Sequence, residues 1–276
     1  MSRIAARFAQ LKAEGRGALI PFLEAWDPDA ATSMALLRGM PGAGADLIEI
    51  GCPFTDPMAD GPTVQLAAKR GLAAGATMAH TLAMVREFRR ENDTTPIILM
   101  GYLNPILSYG VERFCKDAGI CGVDGLIVVD LPTEEADLLV PHATANAIDV
   151  IRLVAPTTDA KRLPLVLDGS SGFVYYVSIT GVTGTRTASA DELAAAIPLV
   201  RKATKLPIAI GFGVRTPAQA AAAVQAADAA VVASALLDTL AGSLDEFGRA
   251  GPDTIRLVLD QVKELAAAVR TARMAA

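Results

Sequence analysis

Eight times along this chain a short β-rich apolar run is followed by a turn and then by an Ala-rich stretch with helical spacing, and this alternation limits the available folds more than any other feature. The runs are GALIPF (17–22), ADLIEI (45–50), PIILMGY (96–102), GLIVVD (125–130), DVIRLV (149–154), GFVYYVS (172–178), LPIAIGF (206–212) and AAVVAS (229–234). Strands apolar along their whole length, each trailed by a crossover helix, form a parallel sheet covered on both faces, and eight such units close into a (β/α)8 barrel. The amphipathic stretch MSRIAARFAQLKAEGRG adds a helix before the first run, and ASALLDTL (233–240) adds a short helix before the last barrel helix. An open doubly wound sheet is the competitor, but no GxGxxG turn follows the first run. No linker composition or charge run divides the 276 residues, so 1–276 are expected to form one barrel domain.

Composition narrows the function classes. With 52% hydrophobic and 20% charged residues the chain is too apolar to stay disordered, and 5% aromatic residues imply an aliphatic core. A net charge of −5 argues against nucleic-acid binding, no apolar run approaches the ~20 residues that cross a bilayer, and the N-terminus lacks a signal-peptide core. The expectation is a cytoplasmic protein acting on a small metabolite. Cys52, Cys115 and Cys121 are odd in number and form no CxxC pair, which supports neither a disulfide framework nor a zinc ribbon.

In a parallel barrel the chemistry sits at the carboxyl ends of the strands. There the stretch EIGCPFTDPMADGPTVQ (49–65) stands out. Side chains alternate along a strand, so Leu47 and Glu49 share one face while Ile48 and Ile50 share the other, and the apolar pair must meet the outer helices. Glu49 then points into the mouth, where desolvation raises its pKa and makes it a candidate proton donor and acceptor; the structural alternative is a buried, paired carboxylate. Asp60 lies on a loop longer than usual between strand and helix and is placed to swing over the mouth, or else to serve the following helix N-terminus. Asp56, between Thr55 and Pro57, reads as turn chemistry.

Across the ring, GVTGTRT, GFG and the short helix opened by AS form Gly-rich strand ends suited to a phosphate, with Ser234 as N-cap and phosphate donor. His80 and His142 lie in helical patterns and no lysine sits at a strand mouth, so neither a metal-assisted nor a Schiff-base aldolase fits. Carboxylate proton chemistry on a phosphate-bearing substrate remains, in a pocket walled by Phe22, Met100, Tyr102, Val129, Leu153, Tyr175 and Phe212, apolar and aromatic enough for a flat ring.

These residues carry a resemblance. EIGCPFTDPMADGPTVQ, with LMGYLNPI (99–106), GLIVVDLP (125–132), LVAPTT (153–158), GFVYYVSITGVTGTR (172–186) and LPIAIGFGVRTPAQ (206–219), is similar to the tryptophan synthase alpha subunit family across nearly the whole chain. The resemblance implies a (β/α)8 barrel that splits indole-3-glycerol phosphate into indole and glyceraldehyde 3-phosphate by retro-aldol cleavage. It implies Glu49 as general acid/base, Asp60 as the group that holds the indole N–H, and Gly184, Gly213 and Ser234 on the phosphate. Phe22, Met100, Tyr102, Val129, Leu153, Tyr175 and Phe212 would flank the substrate, and Thr183 would close over the site to meet Asp60. It also implies no cofactor in this chain, a PLP-containing beta subunit that receives indole, and an assembly of two alpha and two beta chains. Ala233 and Val129 depart from the family's usual residues, as does Ile179; a left-handed backbone at Ala233 would be strained and would weaken phosphate binding. A stand-alone indole-releasing lyase and a non-catalytic ligand-binding regulator are the alternatives.

Overall fold

The computed structural model describes residues 2–177, 190–211 and 213–273. Helix α1 (Arg3–Ala13) leads into β1 (Ala18–Glu24), α2 (Ala30–Ala43), β2 (Ile48–Gly51), α3 (Pro62–Ala73), α4 (Met78–Arg89), β3 (Ile97–Gly101), α5 (Leu103–Tyr109), α6 (Val111–Cys121) and β4 (Gly125–Val128). A 3-10 turn (Thr133–Leu138) and α7 (Val140–Ala145) precede β5 (Asp149–Val150) and β6 (Arg152–Val154). Then come α8 (Leu163–Leu167), β7 (Val174–Val177), α9 (Ala190–Ala203), β8 (Ile208–Gly211), α10 (Pro217–Ala226), β9 (Ala229–Val232), α11 (Ser234–Gly242) and α12 (Thr254–Thr271).

All strands pair in parallel in the order β5-β4-β3-β2-β1-β9-β8-β7-β6. Because β5 and β6 are consecutive pieces of one run, the two ends of that order meet and the sheet closes into the expected barrel. The run DVIRLV is thus divided at Ile151: Asp149 and Val150 pair with β4, whereas Arg152 to Val154 pair with β7. The stretch EEADLLVPHATAN is likewise two elements, a 3-10 turn and α7, parted at Leu139 just before Pro141. The expected N-terminal helix and the short helix α11 are both present.

Local sequence explains the helix boundaries that matter. Asp29 caps α2 by accepting the Thr32 N–H at 2.9 Å, and Gly44 ends it with a left-handed φ of 106°. Thr216 and Gln219 form a reciprocal capping box on α10. Pro62, which has no N–H to leave unpaired, opens α3.

Alternation inside the barrel follows the predicted parity. Ala18, Ile20, Leu47, Ile98, Ile127, Ile151, Phe173, Tyr175, Ala209, Ala229 and Val231 face inward, while Ile48 and Ile50 pack outward against the helices. Helix α1 plugs the amino-terminal end by adding Ile4, Phe8 and Leu11 to that interior, each buried side chain contributing about 1.5–3 kcal/mol. Carboxylates clasp the same end: Asp46, Asp124 and Asp228 accept an N–H from the start of a neighbouring strand, from Leu19, Ile97 and Ile208 at 2.9, 2.8 and 2.8 Å. Apolar side chains and these clasps fill the lower barrel, leaving the carboxyl-terminal mouth as the place for polar chemistry.

Candidate active site

Register fixes the two floors of the mouth. Phe22 of β1 lies opposite Glu49 of β2, and Glu24 lies opposite Gly51. All four positions share the inward face, so Glu49 is the lower carboxyl and Glu24 stands one layer nearer the rim. A Cβ at Gly51 would overlap the Glu24 carboxyl and the Phe22 ring, which is why the space above Glu49 needs glycine there. Likewise a Cβ at Gly211 would overlap the Tyr175 hydroxyl, so that ring can lie across β8.

Glu49 is 1% exposed and neither of its carboxylate oxygens has a hydrogen-bond partner among the described residues. Two unpartnered oxygens in an aliphatic barrel disfavour the charged form, and burial, reinforced by the charge of Asp60, pushes the Glu49 pKa up to about 8. Among the described residues no backbone group or cation satisfies this carboxylate, as the structural alternative would require.

Asp60 comes from the loop between β2 and α3 and is 8% exposed. Its N–H donates to the Pro57 carbonyl at 3.1 Å, its carbonyl accepts from Gln65 Nε2 at 2.8 Å, and its Oδ2 accepts from the Tyr102 hydroxyl at 3.0 Å. That hydroxyl also accepts the Ala59 N–H at 3.0 Å, so Tyr102 pins the tip of the loop over the mouth. Burial raises the Asp60 pKa to about 6, against the lowering effect of the Tyr102 hydrogen bond. Near neutral pH the site therefore holds a charged Asp60 beside a protonated Glu49. Asp56 does turn work, accepting the Thr55 hydroxyl at 2.5 Å and, through its carbonyl, the Met58 N–H at 2.9 Å.

These side chains line two cavities with shared walls. The larger is bounded by Phe22, Glu49, Asp60, Met100 and Tyr175 at one end and by Gly213, Arg215, Ala233 and Ser234 at the other. The smaller shares Phe22, Asp60 and Met100 and is completed by Glu24, Cys52, Phe54, Tyr102 and Val129. The Phe54 and Tyr102 rings stand 5.4 Å apart on its wall. Leu153 packs against the barrel interior and lines neither cavity. Phe212, Thr183 and Gly184, as well as Ile179, lie outside the described residues.

At the far end of the larger cavity, Gly213 has φ +80°, a left-handed backbone that glycine adopts without strain. Ser234 is not the N-cap of α11. Ala233 holds that position without a side-chain cap, and Ser234 is the first helical residue. Ala233 has φ −116°, outside the left-handed region, so its Cβ imposes no backbone strain and the expected weakness at that point falls away. The Leu236 and Leu237 N–H groups donate back to the Ala233 carbonyl, leaving the first N–H groups of α11 directed out of its N-terminus as an anion cradle.

Two site residues escaped the sequence reading. Glu24 is 3% exposed, and burial, then the charges of Asp60 and Asp27, hold its pKa well above the usual carboxylate range. The alternation that identified Glu49 identifies Glu24 too, once β1 is read past Phe22. Arg215 ends the motif GFGVR and lines the larger cavity with Gly213 and Ser234. Among the described residues no group of three His, Cys, Asp or Glu is arranged to hold a metal ion, and no helix is long and apolar enough to cross a membrane. Among the described residues, the polar groups around this apolar slot are carboxyl groups, hydroxyls, backbone N–H groups and one arginine.

The same arrangement has relatives. A family model described as "Tryptophan synthase alpha chain" matches residues 8–268. Among curated proteins, the tryptophan synthase alpha chain of Granulibacter bethesdensis is 70% identical over 276 residues, covering 100% of this chain and 99% of its own. That of Gluconacetobacter diazotrophicus is 71% identical over 273 residues, covering 99% and 100%. Among solved structures, tryptophan synthase subunit alpha from Legionella pneumophila superposes with a TM-score of 0.88 at 34% identity, with 98% of each chain covered. A Mycobacterium tuberculosis tryptophan synthase structure gives 0.87 at 34% identity, again over 98% of each chain.

Proposed function

The chain belongs to the tryptophan synthase alpha chain family, and on that premise we propose that Glu49 and Asp60 carry its reaction, with Gly213 and Ser234 holding the substrate phosphate. The enzyme is the carbon–carbon lyase of tryptophan biosynthesis that cleaves indole-3-glycerol phosphate to indole and glyceraldehyde 3-phosphate. The observation that carries the assignment is two buried carboxyl groups on one apolar cavity, Glu49 without a hydrogen-bond partner among the described residues and Asp60 held by the Tyr102 hydroxyl, with burial raising both pKa values, to about 8 and about 6.

Protonated Glu49 delivers its proton to indole C3, which interrupts the ring's conjugation and places positive charge toward the ring nitrogen. Charged Asp60, oriented by Tyr102, accepts a hydrogen bond from the indole N–H and stabilises that charge. The bond from C3 to the glycerol chain then breaks, its electrons returning to the ring. The adjacent hydroxyl proton passes to the Glu49 carboxylate as the aldehyde forms, which restores the starting protonation. The ring occupies the apolar slot between Phe22 and Met100, with Tyr102 and Val129 beyond and Tyr175 beside Glu49; the phosphate lies at the Gly213 and Ser234 end. Thr183 and Gly184, outside the described residues, complete the closed site in this reading, and Phe212 completes the substrate wall.

Membership also implies a beta-subunit partner. We place that partner at the carboxyl-terminal rim, where Met58 is 72% exposed on the loop between β2 and α3 and Leu107 48% exposed on α5, apolar groups of the kind an interface covers. The assembly is two alpha and two beta chains, PLP belongs to the beta chain, this chain needs no cofactor of its own, and the complex works in the cytoplasm.

The test follows indole release from indole-3-glycerol phosphate by the native chain, Glu49→Gln and Asp60→Asn, each with and without the beta subunit. Glu49→Gln loses about 10²–10⁴-fold in turnover, and Asp60→Asn loses about 10²–10³-fold. Native turnover rises when the beta subunit is added. A Glu49→Gln enzyme with the native rate would refute the proton-transfer assignment, and native turnover indifferent to the beta subunit would favour a stand-alone lyase.

A further inference from the structure

The phosphate end of the larger cavity contains a charge that the reaction scheme leaves unused. Arg215 is the single cation among the described residues lining that cavity, whose carboxyl members are Glu49 and Asp60. It follows the left-handed turn at Gly213, and its own N–H donates to Gln219 Oε1 at 2.8 Å, so its backbone is anchored to the start of α10. Its guanidinium is engaged elsewhere: Nη2 lies 2.5 Å from Asp238 Oδ2. Asp238 sits just beyond the first turn of α11, the helix whose N-terminus faces the cavity, and its other oxygen accepts the Thr63 hydroxyl at 3.0 Å.

The strengths of these interactions decide what the pair does. The Arg215 and Asp238 side chains are 42% and 43% exposed, and an ion pair so open to water is worth about 0–1 kcal/mol. A phosphate dianion seated on backbone N–H groups offers the guanidinium two negative charges and bidentate geometry, a stronger partner than one solvated carboxylate. We propose that Arg215 is a phosphate-binding residue held in reserve by Asp238, leaving the carboxylate to clasp the phosphate as substrate enters. Arg215 thus selects phosphorylated over unphosphorylated substrate, and Asp238 limits the affinity by competing for it. This inference rests on the assignment of the phosphate to Gly213 and Ser234.

The two partners of a merely structural strut are equivalent: removing either one loosens the loop and weakens binding. A competing counter-ion breaks that symmetry, and the signs separate the cases. Dissociation constants for glycerol 3-phosphate, measured by calorimetry on the full chain, and KM for indole-3-glycerol phosphate are compared for Arg215→Gln, Arg215→Lys and Asp238→Asn. Arg215→Gln is expected to weaken phosphate binding about fivefold to tenfold with kcat within about twofold, and to flatten its salt dependence. Arg215→Lys recovers part of the loss, and Asp238→Asn tightens binding about twofold to threefold. Weakening by both Arg215→Gln and Asp238→Asn, or no change in Arg215→Gln, overturns the proposal. Because calorimetry reads binding without turnover, a chain that binds glycerol 3-phosphate but releases no indole would reject the catalytic assignment and leave this comparison intact.

Discussion

The proposed active site turns on one difference between two carboxyl groups. Burial raises both, but Asp60 accepts the Tyr102 hydroxyl and Glu49 has no hydrogen-bond partner among the described residues, and their pKa values stand at about 6 and about 8. The proposed reaction uses Asp60 charged and Glu49 protonated. In the free enzyme, kcat/KM is therefore expected to rise as pH passes about 6 and to fall as it passes about 8. A pH–rate profile checks this, and Tyr102→Phe should move the acidic limb upward because Asp60 loses the hydrogen bond that favours its charged form. Glu49 was legible from strand parity alone. Glu24 was not, because the apolar run ends at Phe22 and a carboxylate after it reads as the start of a loop; the register with Gly51 extends the strand through it.

At the scale of elements, the proposed phosphate cradle joins a turn to a helix start, and the two joints differ in what they tolerate. Gly213 has a left-handed φ of +80°, so Gly213→Ala is expected to cost about 1–2 kcal/mol and to raise KM for the phosphorylated substrate. Ala233 is ordinary right-handed backbone, so Ala233→Gly should leave the affinity for glycerol 3-phosphate unchanged. Calorimetric titration of both variants provides the comparison. The strand–helix alternation and the short helix α11 could be read directly from the residues, because period and composition report on burial. The cap of α11 could not: a serine before an apolar run has the cap signature, but here the chain turns one residue earlier, at Ala233. Helix α5 was also hidden, since LNPILSY carries a proline and only Ile106 is buried.

For the molecule as a whole, the buried acids at the mouth impose a stability cost that follows pH. The folded state binds protons more tightly than the unfolded chain wherever a carboxyl pKa is raised, as at Glu49, Asp60 and Glu24. Their stabilising effect is full below the unfolded values near 4, and it is lost as pH rises through about 6 for Asp60 and about 8 for Glu49. Relative to Glu49→Gln, the native chain is thus expected to lose a few kcal/mol between pH 5 and 9, at about 1.4 kcal/mol per pKa unit. Denaturant unfolding of both chains across that range measures the difference, and parallel curves would show that Glu49 is not desolvated in solution. The barrel itself was foreseeable from the eight runs, yet the division of the fifth at Ile151 was not, because pairing partners are set by closure and leave no mark on local composition.

That division means the ring is fastened by a shared link. The fifth run spends its opening residues on β4 and its later ones on β7, so neither arc of the barrel owns a complete final rung. A chain severed near residue 151 would leave each fragment with a half-made border, and the two pieces would have to find each other before either could hold its shape.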